Sequence, residues 1–279
     1  MPTLLQQVRF ALRDLGTRPL KQLGQHFLIN PTVVEQMIAA ACVGPEDIIL
    51  EIGPGLGVLS DRLAEQAGRL YLVELDTVLS ARLRKRFAAN ERIAVIEADF
   101  LRLDPATLPE PKIHVVASLP YNAATPILFR LLEHRQHFPE VTVMIQKEVA
   151  ERLTAVPGTK AYGVPSVLTQ LYAAITVVCT VGPRSFFPPP TVESQVIRLR
   201  FQQTPQVAIH DERVFQRVVK AAFGQRRKTL RNALRAAGYE NLAVMADLAG
   251  VDLQRRGETL SVKEFAALAN ASAPTAVLR

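Results

Sequence analysis

Length, composition and charge exclude several classes of protein. The chain has 279 residues, 48% of them hydrophobic, enough for the core of one domain of ordinary size and a smaller second domain. Its two cysteines, Cys42 and Cys179, lie far apart, which excludes a disulfide framework and favours a cytoplasmic location. Arg9 and Arg13 interrupt the N-terminal apolar residues and the apolar stretch 173–181 is short, so we expect neither a signal peptide nor a membrane span. The net charge of +7 favours an acidic partner.

Short runs rich in valine and isoleucine predict the strands of a mostly parallel sheet. They begin at Ile48, Leu70, Ile93, Ile113 and Val141 and alternate with helix-like stretches, the pattern of repeated βαβ units. Two later runs, 171–181 and 195–201, are joined by a proline-rich connection and predict a closing antiparallel pair. We therefore predict an α/β fold with a doubly wound sheet and helices on both faces.

The chain changes character after the polar stretch 202–206. Beyond it the apolar residues recur with helical spacing, and no strong strand candidate follows. We predict a sheet domain over 1–202 and a small all-helical domain over 207–270.

Successive predicted strands end in features suited to a nucleoside ligand. Gly53, Gly55 and Gly57 follow the first strand and open a helix, where a glycine backbone approaches a ligand closely. Glu74 comes about 20 residues later, at the end of the second strand, where a carboxylate accepts hydrogen bonds from ribose hydroxyls. Asp99 follows the third strand and is suited to an adenine amino group. Taken alone, the glycines also fit a tight structural turn, and Glu74 also fits a solvated strand end.

Three ligands fit such a site: S-adenosyl-L-methionine, NAD and a nucleoside triphosphate. A dinucleotide fold usually has the pattern G-x-G-x-x-G, and a P-loop requires Gly-Lys followed by Ser or Thr. The turn GPGLG matches neither pattern. S-adenosylmethionine is therefore favoured.

Basic clusters lie apart from this turn, at 82–86, 226–231 and 255–256. Localised positive charge separate from a small-molecule site favours an enzyme that acts on a polyanion, although a charge run on a helix is often only a solvated face. His134 and His137 stand three residues apart without a second pair of ligands, so we predict no metal.

The sequence SLPYN at 118–122 completes a set of motifs. The others are KQLGQHFL at 21–28, EIGPGLG at 51–57, VELD at 73–76, EADF at 97–100, FFPPPTVES at 186–194 and FGQRRKTLRNAL at 223–234. In this order, and over nearly the whole chain, they resemble the ribosomal RNA adenine dimethyltransferase family of the KsgA type. The resemblance implies a Rossmann-like class I methyltransferase sheet with a small C-terminal helical domain, and S-adenosylmethionine as the methyl donor.

The resemblance also implies which residues bind the cofactor. These are His26, Leu28, Gly53, Glu74, Asp99 and Ser118. It further implies that GQHFL forms an N-terminal lid over the cofactor.

The resemblance assigns the catalytic roles to Ser118, Leu119 and Tyr121. An adenine amine is a poor nucleophile because its lone pair is delocalised into the ring, and acceptors that hold its hydrogens restore its nucleophilicity. The Ser118 side chain and the Leu119 carbonyl take that role, and Tyr121 offers a face on which the extruded base stacks. The family usually has Asn where this chain has Ser118, and a hydroxyl has a shorter reach than a carboxamide. We still expect activity, because the Leu119 carbonyl does not depend on the side chain.

For RNA, the resemblance implies contacts by a further set of residues. These are Phe187, Lys160, Arg226, Arg227, Lys228 and Arg231. Phe187 is expected to stack opposite Tyr121, whereas Phe186 is expected to fill the core. Lys160 lies in a glycine-containing loop that is expected to clamp RNA, and the C-terminal cations are expected to neutralise phosphates.

The resemblance implies N6,N6-dimethylation of two adjacent adenosines in the 3′-terminal hairpin loop of small-subunit ribosomal RNA, within the pre-30S particle, by a monomer. Two alternatives stay open. One is a low-activity ribosome-assembly or transcription factor that keeps the fold, which Ser118 leaves open. The other is a large-subunit ribosomal RNA adenine methyltransferase that confers antibiotic resistance, although GQHFL and QRRKTLRN favour the small-subunit branch.

Overall fold

The structure is a computed structural model that describes residues 2–225 and 227–272. The chain forms two compact units: one runs to Ala150 and resumes over Ala174–Phe201, and the other contains Glu151–Ala173 and the residues from Gln202 onward. The segment Glu151–Ala173, which the sequence analysis places with the sheet, therefore belongs with the helices. None of the helices in the described part of the chain has the length and apolar character needed to cross a bilayer.

The first unit is built on a seven-stranded sheet and a separate two-stranded pair. The strands are β1 (Phe27–Leu28), β2 (Ile48–Ile52), β3 (Arg69–Glu74), β4 (Ile93–Glu97), β5 (His114–Ser118), β6 (Glu140–Gln146), β7 (Ala173–Val181), β8 (Phe186–Phe187) and β9 (Ser194–Phe201). The large sheet has the order β4-β3-β2-β5-β6-β9-β7, and β1 pairs with β8. The strands β2 to β6 are parallel, and β9 runs antiparallel to β6. The predicted mostly parallel sheet is confirmed.

Some helices connect these strands, and the helices near the C-terminus belong to the second unit. The helices are α1 (Leu4–Asp14), α2 (Pro31–Ala41), α3 (Val58–Gln66), α4 (Thr77–Phe87), α5 (Ala124–Glu133), α6 (Lys147–Thr154), α7 (Val164–Gln170), α8 (Glu212–Gly224), α9 (Leu230–Ala236), α10 (Leu242–Ala249) and α11 (Val262–Ser272). Local chemistry fixes several helix starts: Asp76 accepts hydrogen bonds from the backbone N–H groups of Val78 and Leu79 at the start of α4.

The second unit has its own apolar core. Phe215 on α8 and Phe265 on α11 are fully buried, and the ring of Phe223 lies between those of Phe265 and Tyr162. The Tyr162 hydroxyl donates to the backbone carbonyl of Leu260 at 2.9 Å, so the loop that carries Lys160 is anchored within this unit. From Gln202 onward the described residues form helices and no strand.

The order of the strands decides where a ligand binds. Successive connections run from β2 outward to β3 and β4, and then return to β5 on the other side of β2. At such a reversal the connecting loops diverge and leave a crevice at the carboxyl ends of the strands. Ile49 and Leu50 of β2, the strand beside this reversal, are completely buried, as expected for a central strand covered on both faces.

Candidate active site

A cavity of about 180 Å³ lies at the carboxyl edge of the sheet. Residues that are far apart in the sequence line it together: His26, Leu28, Gly53, Glu74, Asp99, Ser118, Leu119 and Tyr121. The structure thus brings together every residue for which the sequence predicts a cofactor-binding or catalytic role.

The glycine turn after β2 binds the end of β3. Gly53 and Gly55 have φ of 67° and 61°, values that side-chain-bearing residues rarely adopt. A Cβ atom on Gly55 would lie 3.2 Å from the Phe27 ring, so the turn also needs a glycine for close packing. The Gly55 N–H donates to Glu74 Oε2 at 2.9 Å. The turn and the acidic strand end therefore form one rigid wall of the cavity.

Glu74 is buried but keeps acceptor capacity. Its Oε1 accepts from the Asp76 N–H at 2.9 Å, and the side chain is only 6% exposed. Burial raises the pKa of Glu74, while the N–H groups of Asp76 and Gly55 lower it. Each carboxylate oxygen accepts more than one hydrogen bond, so Glu74 retains lone pairs for a ligand.

The charged residues that line the cavity are acidic. Glu51, Glu74 and Asp99 contribute three carboxyl groups, and among the described residues that line the cavity there is neither a lysine nor an arginine. Asp99 Oδ1 accepts from the Leu101 N–H at 2.9 Å, so its carboxylate is held in place. This lining favours a cationic ligand and disfavours one that carries several phosphates.

Ser118 and Leu119 offer two acceptors at the end of β5. The Leu119 N–H donates to the Met144 carbonyl at 3.0 Å, which fixes the backbone at this position. Within the part of the chain that the structure describes, neither the Ser118 hydroxyl nor the Leu119 carbonyl is used in a hydrogen bond. Both oxygens therefore remain available to an amine in the cavity.

Tyr121 is held by three contacts. Its hydroxyl makes a hydrogen bond with the Ser194 hydroxyl, and its ring lies 5.1 Å from the ring of His26 and edge-on to Phe186 at 6.3 Å. Burial raises the pKa of Tyr121, so the phenol stays neutral near neutral pH. A fixed, neutral ring at the rim of the cavity is suited to stacking on a base.

The segment 21–28 closes one side of the cavity. The His26 ring makes a hydrogen bond through Nδ1 to the Pro188 carbonyl at 2.7 Å, and Gln25 donates to Asp76 Oδ2 at 3.1 Å. Asn122 donates to the Gln22 carbonyl at 2.7 Å. The segment is thus tied to the end of β3, to the SLPYN motif and to the proline-rich connection.

The pair of β1 and β8 is a feature that sequence reasoning missed, because two-residue strands have no detectable periodicity. It places Phe27 opposite Phe187 and Leu28 opposite Phe186. Phe186 is 2% exposed and contacts Tyr121. The Phe187 ring instead lies beneath the guanidinium of Arg9, 5.2 Å from it, and Phe187 is not among the described residues that line the cavity. Its role in RNA binding stays a prediction.

Glu51 is a second feature that the sequence analysis did not single out. It is 2% exposed, and its Oε2 accepts from the Ser60 hydroxyl at 2.6 Å. Desolvation raises the pKa of Glu51 to about 8, and the bond from Ser60 only partly opposes this. An acidic residue at the end of a buried hydrophobic strand is the signal that would have found it.

Glu51 is expected to make stability depend on pH. Because its folded pKa is raised above the unfolded value, the folded state binds more protons, and stability falls as the pH rises between about 4.5 and about 8. From about pH 6 to about pH 8.5, we expect the Tm of the wild type to fall about 4–5 °C more than that of Glu51→Gln, which keeps an acceptor for Ser60. Thermal unfolding followed by circular dichroism measures this. Equal slopes for the two proteins would show that Glu51 does not titrate in this range.

The predicted RNA-binding cations lie in the second unit. Lys160 is exposed in the loop between α6 and α7. Arg227 and Lys228 are exposed in the turn before α9, and Arg231 lies in the first turn of that helix. Arg226 lies outside the described residues. Their contacts with RNA stay a prediction.

Comparison with known proteins assigns the family. A family model described as ribosomal RNA adenine dimethylase matches residues 17–273. The chain belongs to this family. As a member, the protein is a methyltransferase that acts on ribosomal RNA, with S-adenosylmethionine as its methyl donor.

Individual relatives match nearly the whole chain. Two relatives are named ribosomal RNA small subunit methyltransferase A. The one from Syntrophotalea carbinolica is 46% identical over 263 residues, which cover 93% of this chain and 99% of the relative. The one from Geobacter sulfurreducens is 48% identical over 265 residues, which cover 92% of this chain and 96% of the relative.

Solved structures agree with the fold. A dimethyladenosine transferase from Plasmodium falciparum superposes with a TM-score of 0.72 at 25% identity, covering 87% of this chain and 96% of that one. The 23S rRNA methyltransferase ErmE superposes with a TM-score of 0.70 at 25% identity, covering 88% of this chain and 99% of that one. The predicted Rossmann-like class I methyltransferase fold is confirmed.

The cavity of this family member fits S-adenosylmethionine. Glu74 has lone pairs for two neighbouring hydroxyls, Asp99 offers a fixed acceptor, and Leu28 adds apolar surface. The carboxylates of Glu74 and Asp99 suit a ligand whose sulfur is positively charged.

Proposed function

We propose that this protein dimethylates N6 of two adjacent adenosines in the 3′-terminal hairpin loop of small-subunit ribosomal RNA. It acts on the pre-30S particle, as a cytoplasmic monomer. The relatives named for the small subunit share 46% and 48% of their aligned residues with this chain, whereas ErmE, named for 23S rRNA, shares 25%. This difference supports the small-subunit substrate over the large-subunit alternative.

The observation that carries the proposed chemistry is the pairing of an acidic cavity with two unused acceptors at its edge. The carboxylates of Glu74 and Asp99 suit a cationic cofactor better than NAD or a nucleoside triphosphate, whose phosphates they would repel. The Ser118 hydroxyl and the Leu119 carbonyl stand beside them as acceptors for an amine.

S-adenosylmethionine supplies an electrophilic methyl group on a sulfonium that leaves as a neutral thioether. The protein's part is to present the adenine amine in line. Ser118 and Leu119 accept the hydrogens of the amine and localise its lone pair, and Tyr121 stacks on the extruded base. This positioning needs no strong base, since the proton of the methylated amine is acidic and passes to water.

The second unit contributes charge to the proposed complex. Lys160, Arg227, Lys228 and Arg231, together with Arg226, bind phosphates of the RNA. Such contacts position the substrate without reading its sequence.

Methyl transfer to small ribosomal subunits that lack adenine methylation tests this proposal. We expect the wild type to form dimethyladenosine from labelled S-adenosylmethionine, detected by mass spectrometry of the RNA. A Ser118→Asn variant, measured in parallel, is expected to methylate at least as fast, because a carboxamide reaches further than a hydroxyl. Large subunits are the matched control and are expected to stay unmodified.

One observation favours a second function. Ser118 stands where the family usually has Asn, so a factor that binds the subunit without modifying it is the alternative. Binding without methylation by the wild type, with methylation restored in Ser118→Asn, would establish that alternative. Labelling of the large subunit alone would instead assign the protein to the large-subunit branch.

A further inference from the structure

The N-terminal helix α1 packs against residues that line the cavity, and it precedes the region that the family model matches. The family match begins at residue 17, after α1 has ended at Asp14. Val8, Ala11 and Leu12 form its buried face and pack against Phe27, Leu56 and Leu79. Those three partners also line the cavity. The helix is therefore fixed against the wall of the active site.

Arg9 projects from this helix onto the proline-rich connection. Its guanidinium lies over the Phe187 ring, 5.2 Å from the centroid. The next residue, Pro188, accepts the hydrogen bond from His26, whose ring contacts Tyr121. A short series of contacts thus leads from Arg9 to the ring on which the base is proposed to stack.

Arg9 differs in its partners from seven other arginines of the first unit. The following arginines form ion pairs with carboxylates: Arg62, Arg69, Arg84, Arg86, Arg102, Arg198 and Arg200. Arg9 is exposed, and within residues 2–225 and 227–272 no carboxylate pairs with it. Its donors and its full positive charge therefore remain available to an anion from solution.

An arginine stacked on an aromatic ring is well prepared to bind phosphate. Stacking fixes the plane of the guanidinium, so less conformational freedom is lost when its N–H groups bind an anion. The edge of the guanidinium, which carries these donors, remains open when the face is covered.

We infer that Arg9 binds a backbone phosphate of the RNA beside the target adenosine, with Phe187 holding the guanidinium in place. This inference rests on the proposed function, because it takes RNA to be the substrate. A base that enters the cavity brings its own phosphates to the rim, and a fixed cation there selects the strand position from which the base is presented. Arg9 is thus a substrate-positioning residue outside the family's shared motifs.

The test compares two arginines on the same helix. Arg13 is also exposed and follows Arg9 by one helical turn, but no aromatic ring lies under its guanidinium in the described structure. Full-length wild type, Arg9→Gln and Arg13→Gln are titrated with unmethylated small subunits, and methyl transfer is measured in parallel. We expect Arg9→Gln to raise the KM for subunits about tenfold and to reduce the salt dependence of log K by about 0.7–1, as loss of one phosphate contact does. Arg13→Gln is expected to change the KM less than about threefold.

A second pair of measurements separates this role from a structural one. S-adenosylmethionine affinity by calorimetry and Tm are expected to be the same for Arg9→Gln and the wild type. Phe187→Leu is expected to weaken subunit binding and, combined with Arg9→Gln, to add little further loss, because both changes remove the same contact.

Several results would overturn the inference. Equal losses in Arg9→Gln and Arg13→Gln would mean that only the general charge of the helix matters, and an unchanged KM in Arg9→Gln would mean that Arg9 touches no RNA. A fall in cofactor affinity equal to the fall in subunit affinity would assign Arg9 to the cavity wall instead. A wild type that neither binds nor methylates small subunits would refute the proposed function itself, and the inference with it.

Discussion

Glu74→Ala is expected to lower the affinity for S-adenosylmethionine at least about a hundredfold, because each hydrogen bond to a charged acceptor contributes about 1.5–3 kcal/mol and two ribose contacts are lost. The side chain is 6% exposed and is already oriented by the N–H groups of Gly55 and Asp76. A ribose hydroxyl bound here would therefore meet an acceptor that needs no reorganisation. Isothermal titration calorimetry measures the effect, and an unchanged affinity would remove Glu74 from the site.

The chain offers a matched control for Glu74. Glu97 ends the neighbouring strand β4 directly opposite Glu74 in the register, but it is exposed and paired with Arg84. Glu97→Ala is expected to leave cofactor affinity within about twofold. Glu74→Ala also leaves the Gly55 and Asp76 N–H groups without their acceptor, so its Tm is measured alongside. Glu74→Gln keeps an acceptor for only one of these two N–H groups, so it is expected to lower Tm less than Glu74→Ala does and still to bind cofactor weakly.

Tyr121→Ala is expected to slow methyl transfer about 10- to 100-fold, since stacking of a base on an aromatic side chain contributes about 1–3 kcal/mol. Contacts with Ser194, His26 and Phe186 fix the Tyr121 ring, so the substitution removes a stacking surface that is already in place before the base binds. Single-turnover measurements with saturating cofactor and subunits isolate this step. A wild-type rate in Tyr121→Ala would contradict the stacking role.

Tyr121→Phe is the control for the ring. It keeps the aromatic face and loses only the hydrogen bond with Ser194, so we expect a rate within about threefold of the wild type. A loss in Tyr121→Phe as large as that in Tyr121→Ala would show that the hydroxyl, and not the face of the ring, is what the reaction needs. Cofactor affinity, measured for both variants, detects any collapse of the contact with His26.

The order of the strands and helices, and the acidic residues at the strand ends, can be predicted from local sequence patterns. Valine-rich runs separated by helical stretches predict a parallel sheet, and parallel strands end at one edge, so the sequence predicts that Glu74 and Asp99 lie together. The resemblance then added His26 and Leu28, which precede the first sheet strand and which no periodicity connects to the site. The structure places all four around one cavity.

Contacts between distant segments were not predictable in this way. The segment Glu151–Ala173 belongs to the helical unit because Tyr162 is buried there and bonds to Leu260, although its spacing in the sequence places it beside the sheet. The pairing of β1 with β8 involves only four residues, and strands of two residues are too short to be predicted from the sequence pattern. It is this pairing that directs Phe186 toward Tyr121 and leaves Phe187 to Arg9.

The sequence by itself determined the class of fold, the glycine turn and the carboxylates at the strand ends, because these depend on the spacing of residues along one or two neighbouring elements. The tertiary structure decided the buried state of Glu51, the unused acceptors of Ser118 and Leu119, and the position of Arg9. Burial, hydrogen-bond partners and stacking depend on which distant segments meet, and that is settled only when the whole core packs.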